Sequence, residues 1–133
     1  MTSSSESTAS EPSSTGLFRL TGLDGNTVLI AVDSVYRIRV SVADGEPDAT
    51  KVEYGAGYLF THETIADLLG RIGPADRFIK LTTRSATSVY LNAGAITSVR
   101  TALPQNAPGT EIVDAGQYQH VIETVDTIET LLR

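Results

Sequence analysis

The chain carries one pattern twice. Leu17-Phe18-Arg19-Leu20-Thr21 returns as Phe78-Ile79-Lys80-Leu81-Thr82, and Val28-Leu29-Ile30 returns as Val89-Tyr90-Leu91. Val35, Ile38, Arg39 and Val42 return as Ile96, Val99, Arg100 and Leu103. The offset is 61 residues at the start (Leu17 to Phe78) and 60 further on (Thr50 to Thr110). A one-residue slip of this kind falls in the loop between, where insertions are tolerated. Thr50, Val52 and Tyr58 match Thr110, Ile112 and Tyr118, and Glu63-Thr64-Ile65 matches Glu123-Thr124-Val125. Leu68 and Ile72 match Ile128 and Leu132. An internal repeat constrains the architecture before any other feature. Positions shared by both halves belong to the scaffold.

Each unit is about 57 residues, close to the lower limit for an independent core. Two such units gain by burying apolar faces against each other, so the expected form is one body with pseudo-twofold symmetry. The arrangement reads as residues 1–15, an N-terminal arm; 16–73, repeat one; and 74–133, repeat two. Each repeat reads as five strands and a terminal helix. The fold class is therefore β-rich α+β, with mainly antiparallel strands.

Local signals place the elements. Leu17 to Thr21 and Thr27 to Val32 flank Asp24-Gly25-Asn26, residues that tolerate the positive φ of a hairpin turn. Val35 to Ala43 alternates, with Tyr36, Ile38, Val40 and Val42 on one face and Arg37, Arg39 and Ser41 on the other. Thr50–Tyr54 and Gly57–Thr61 complete the first set. Thr64 is the expected N-cap of a helix over 65–72, with Ile65, Leu68, Leu69 and Ile72 as its apolar stripe. Gly73-Pro74 stops it. The second set is Phe78–Thr82, Ser88–Asn92, Ala95–Leu103, Thr110–Asp114 and Gln117–Ile122, then a helix over 125–132 capped by Thr124.

Composition narrows the function. The formal charge is −6, which argues against nucleic acid or anionic membrane as a partner. There is no cysteine, hence no disulfide framework, thiolate nucleophile or Cys-ligated zinc. No apolar run approaches the roughly 20 residues of a membrane span. The start of the chain lacks the charged and apolar regions of a signal peptide, so cytoplasmic synthesis is expected. Ten of residues 1–15 are Ser or Thr. That arm cannot bury enough apolar surface to offset its ordering entropy and reads as a disordered tail; if it is ordered, a neighbouring subunit is the expected clamp.

Candidate chemistry is thin. His62 and His120, beside Glu63 and Glu123, do not reach the three or four converging ligands of a zinc site. Asp44, Glu46 and Asp48 alternate, but not with the spacing of a Ca²⁺ loop. Arg39 with Glu63 and Arg100 with Glu123 could form surface ion pairs, the alternative being unrelated solvated charges. Arg19, Arg37, Arg39, Lys51 and Lys80 could line a basic strand face with Tyr36 and Tyr54 as aromatics, but Tyr36 is expected on the face opposite Arg37 and Arg39. Gly55-Ala56-Gly57 lacks the context of a phosphate loop. No Ser/His/Asp set or nucleophile elbow is present. Catalytic, cofactor-binding and metal residues are accordingly all expected to be none.

The second half carries a further pattern: Phe78-Ile79-Lys80-Leu81-Thr82, Val89-Tyr90-Leu91-Asn92, Ile96 and Val99, Gly109-Thr110-Glu111-Ile112, and Val121-Ile122-Glu123-Thr124. It resembles the FlbD-like small proteins of flagellar and swarming-motility gene clusters, and similar short phage-encoded chains. Repeat one matches more loosely, with Ala31 for Asn92 and Thr61 for Val121. The resemblance implies a duplicated scaffold and no catalytic residues. The resulting expectation is a non-enzymatic assembly protein, a phage virion component. Its partners would be capsid, neck or tail subunits reached through arm 1–15. The alternative is a small β-scaffold that binds nucleic acid, or a flagellar-type regulator.

Overall fold

Turn chemistry and alternation produce ten strands and two helices in a computed structural model that describes residues 16–41, 45–55, 57–73 and 77–133. Arm 1–15, and with it the expected subunit clamp, lies outside the described residues. β1 (Leu17–Thr21) and β2 (Thr27–Ala31) form a hairpin. The Asp24 carboxylate closes its turn by accepting the Asn26 backbone N–H at 3.0 Å and the Asn26 side-chain amide at 2.9 Å. β3 (Val35–Val40), β4 (Thr50–Tyr54) and β5 (Gly57–Thr61) follow as an antiparallel meander. α1 (Ile65–Ile72) starts where the Thr64 hydroxyl accepts the Asp67 N–H.

The second half retraces this path. β6 (Phe78–Thr82) and β7 (Ser88–Asn92) are a hairpin; β8 (Ile96–Thr101), β9 (Thr110–Asp114) and β10 (Gln117–Val121) are a meander; α2 (Val125–Leu131) is capped by Thr124. The registers agree pair by pair. Leu17 faces Ala31 as Phe78 faces Asn92, and Arg39 faces Lys51 as Arg100 faces Glu111. The same bulge interrupts β3 between Val35 and Arg37 and β8 between Ile96 and Ser98. Glu63 accepts the Thr21 N–H at 2.7 Å, and Glu123 accepts the Thr82 N–H at 3.0 Å. In each half one carboxylate thus fastens the helix start to the end of the first strand.

Three sheets result, ordered β1-β2, β5-β4-β3-β7-β6 and β10-β9-β8. The central sheet is shared between the halves, because β3 pairs antiparallel with β7. One core gathers Phe18, Leu20 and Ile30 from the first sheet, Ile38 and Val52 from the central sheet, and Leu68 and Ile72 from α1. The other gathers Leu81, Val89 and Leu91 from the central sheet with Ile112, Val121 and Ile128 from the third sheet and α2. These buried apolar side chains contribute roughly 1.5–3 kcal/mol each.

The seam departs from the expected twofold. A twofold axis brings like elements together, whereas β3 of one half meets β7 of the other, the counterpart of β2. The contact runs head to tail. A second departure concerns β3. Tyr36 and Ile38 are buried as expected, but so is Arg37, while Val40 is exposed. The central sheet is covered on both faces, so alternation cannot separate core from solvent. The strand is also shorter than the expected Val35–Ala43, as β8 is shorter than Ala95–Leu103: the chain turns through Ala93–Ala95 and again through Pro104–Asn106. β10 ends at Val121, since the Ile122 N–H turns away to the Thr82 carbonyl at 2.9 Å. Among the described residues, no helix is long and apolar enough to cross a membrane.

Candidate functional site

The β6–β7 turn, the β8–β9 loop and the face of β10 converge on one side of the second half. Two shallow cavities of about 200 and 330 Å³ open there and share Gln119 and His120. Arg39 and Arg84 line the first, Arg100 and Asn106 the second. Glu111 is the carboxylate among the lining residues, against three guanidinium groups. Tyr118 stands at the rim, 70% exposed.

Each side chain has a local reason for its place. Gly109 holds the β8–β9 loop flat on β10. Its φ is +119°, and a Cβ there would lie 2.5 Å from His120 Cε1 and 2.6 Å from the Val121 carbonyl oxygen. Only glycine permits that approach. His120 Nε2 then lies 3.0 Å from the Asn106 carbonyl oxygen and 3.2 Å from Arg84 Nη2. Arg84 also donates to that carbonyl. Asn106 Nδ2 donates to Glu111 at 2.7 Å, and Arg100 donates to the other Glu111 oxygen at 3.0 Å. Arg84, Arg100, Asn106, Glu111 and His120 form one hydrogen-bonded cluster drawn from two loops and three strands.

Beneath it lies a buried ionic layer. Arg37 grips Glu53 with two bonds, of 2.5 and 2.7 Å, and Arg39 adds a third at 3.2 Å. Burial alone would raise the Glu53 carboxyl, but the bonds and charge of Arg37, and then of Arg39, hold it below the usual range. Arg37 also donates to the Tyr118 carbonyl at 3.2 Å and to Gln119 Oε1 at 2.9 Å. It therefore bolts the central sheet to β10 and orients Gln119 at the cavity floor. Burial, then the negative charge of Glu53, raises the Tyr36 hydroxyl. Asp114 is 1% exposed, and both its carboxylate oxygens lack a hydrogen-bond partner among the described residues. Burial is the main cause that pushes its pKa up to about 7, with Arg37 opposing and Glu53 adding to the rise.

The expected residues are distributed otherwise. Arg39 pairs with Glu53 and not Glu63; Glu63 is instead ion-paired with Arg71 at 2.5 Å. Arg100 pairs with Glu111 and not Glu123. The reason is register: Arg39 and Arg100 sit beside the β4 and β9 strands, away from the helix starts. Of the expected basic face, Arg37 and Lys51 are buried in ion pairs, Lys51 with Glu46 at 2.8 Å and above the Tyr58 ring. Only Arg39 reaches the cavities. Among the described residues no cluster of His, Asp and Glu could hold a metal ion.

Arg84, Asn106 and Gln119 do not figure among the sequence candidates. Their signal is a difference between the halves. Arg84, Gln119 and His120 correspond to Leu23, Leu59 and Phe60, which line an apolar cavity of about 290 Å³ at the matching place in the first half. One location on the scaffold is apolar in one half and basic and polar in the other.

No protein-family model matches the chain, and no curated protein is significantly similar to it. Among solved structures, the chain is similar to a LytTr DNA-binding domain from Bacillus cereus, at 18% identity and a TM-score of 0.57. The alignment covers 88% of this chain and 96% of that one. The three-sheet β-rich arrangement is therefore a fold already known. The likeness corrects the expectation of a phage virion component with nucleic acid as an improbable partner, since the matching fold is that of a DNA-binding domain.

Proposed function

We propose that this chain is a DNA-binding domain of regulatory type, without enzymatic activity, and that the basic, polar surface around Arg84, Arg100 and Gln119 meets the duplex. The observation that carries the reading is the likeness over almost the whole chain to a DNA-binding domain of the same fold. The chemistry of the cavities supports it. Arginine matches the acceptors of guanine and of phosphate, while Asn and Gln match the donor–acceptor edge of adenine. Tyr118 offers an exposed ring at the rim. The net charge of −6 is no obstacle where guanidinium groups outnumber carboxylates locally, as three to one in the two cavities. Glu63, Asp67, Glu123, Asp126 and Glu129 cluster at the two helices.

The two halves serve this reading as tandem copies of one unit, of which the second acquired the polar surface. The FlbD-like pattern of the second half, on this account, marks scaffold positions. The test is selection of duplexes from a random pool, followed by titration of the enriched sequence at several salt concentrations. Affinity should fall with added salt. Arg84→Ala and Arg100→Ala should each weaken binding by roughly 1–3 kcal/mol, if they read bases. A pool that shows no enriched sequence, with variants that bind as the parent does, would overturn the proposal.

A further inference from the structure

We infer that copies of this chain associate head to tail, β8 of one copy adding to β2 of the next as β3 adds to β7 within the chain. The inference does not depend on DNA binding. Its basis is that the molecule already contains the joint once. β3 pairs with β7 through Arg37 and Leu91, Ile38 and Tyr90, and Arg39 and Val89. The counterpart of β3 is β8 and the counterpart of β7 is β2. Both are edge strands among the described residues, because β8 pairs only with β9 and β2 only with β1. Each half thus ends on the edge that the other half uses.

The open edges look like unmatched halves of the seam. Val35 and Ile38 are fully buried, whereas their counterparts Ile96 and Val99 are only partly so. Val89 is fully buried and its counterpart Val28 is not. Leu29 holds the place of Tyr90 and is 58% exposed. Edge strands are ordinarily guarded by charge, proline or a bulge. β2 carries none of these: it reads Thr27-Val28-Leu29-Ile30-Ala31. β8 has a bulge, but β3 has the same bulge and pairs regardless. Ile96 and Val99 of β8 pack against the second core, which includes Ile128 of α2, as Val35 and Ile38 of β3 share the first core with Leu68 of α1.

The intermolecular register follows from the internal one: Ser98 opposite Ile30, Val99 opposite Leu29, and Arg100 opposite Val28. The apolar cavity at Leu23, Leu59 and Phe60 would then be closed by β8 of the neighbour, as Arg39 and Val40 close the cavity at Arg84. The joint between copies is weaker than the seam. Asn92 donates to the Val35 carbonyl at 2.9 Å across the seam, and Arg77 pairs with Asp33. The counterparts are Ala31 in the first case and two glycines, Gly16 and Gly94, in the second. Association is therefore reversible, and because the contact is heterologous it builds rows or closed rings.

Sedimentation of the full chain without DNA should show mass rising with concentration. Leu29→Lys should weaken association at least tenfold with an unchanged circular dichroism spectrum. Ala31→Asn, which supplies the missing seam hydrogen bond, should tighten it by roughly fivefold. The chain has no cysteine of its own, so a mixture of Leu29→Cys and Val99→Cys chains should oxidise to the mixed dimer. A concentration-independent monomer would overturn the inference, as would linkage of each variant only to itself, which would mean like-to-like pairing. Either result leaves the DNA-binding reading standing.

Discussion

Asp114 shows how far burial can move one residue from its ordinary chemistry. Its carboxyl is buried near Arg37 and Glu53, with no hydrogen-bond partner among the described residues and a pKa of about 7, against 3.8 unperturbed. The unfolded chain releases this proton near pH 4, while the folded chain keeps it to about pH 7. Stability should therefore fall as pH rises across that window and level off above it. Three pH units correspond to at most about 4 kcal/mol. Urea unfolding of the parent and of Asp114→Asn at pH 5 and pH 8 checks this. The parent should lose stability between the two, and the variant should lose far less; equal losses would mean that Asp114 is ionised in the fold. Ala115, the next residue, has φ +52° where its counterpart Gly55 has φ +48°. Ala115→Gly should raise stability by about 0.5–1 kcal/mol, read as a shift in thermal midpoint. Neither effect was legible in the sequence. An aspartate at the end of a strand reads as a turn residue, and only the packing of β9 against Arg37 buries it.

Elements made by local chemistry could be read directly. The Asp24-Gly25-Asn26 turn, the Thr64 and Thr124 caps and the apolar stripes of both helices depend on neighbours within a few residues. Pairing between distant strands could not be read, and the seam was the casualty. Nothing local distinguishes a twofold contact from β3 adding to β7. Asn92 held the clue. It differs from Ala31 in the repeat because it has a neighbour that Ala31 lacks, the buried Val35 carbonyl. Asn92→Ala should therefore cost about 1–3 kcal/mol, the penalty of a buried acceptor left unpaired together with the lost turn bond to the Gly94 N–H. Equilibrium denaturation measures it. A loss below a few tenths of a kcal/mol would show that the seam does not rely on this side chain.

At the scale of the molecule, most shared positions build the scaffold, while the unshared Arg84, Gln119 and His120 line the cavities of the second half. Comparing the halves for likeness points to the core. Comparing them for difference points to Arg84, Gln119 and His120 against Leu23, Leu59 and Phe60. Formal charge is a poor guide to such a surface because it sums over the whole chain, whereas the two cavities set three guanidinium groups against one carboxylate. The most direct check is an NMR titration of ¹⁵N-labelled chain with an enriched duplex. Amide shifts should concentrate in 83–87, 103–109 and 118–120, and vanish in Arg84→Ala at the same concentrations. Shifts confined to α1, α2 or the β1–β2 turn would contradict the account.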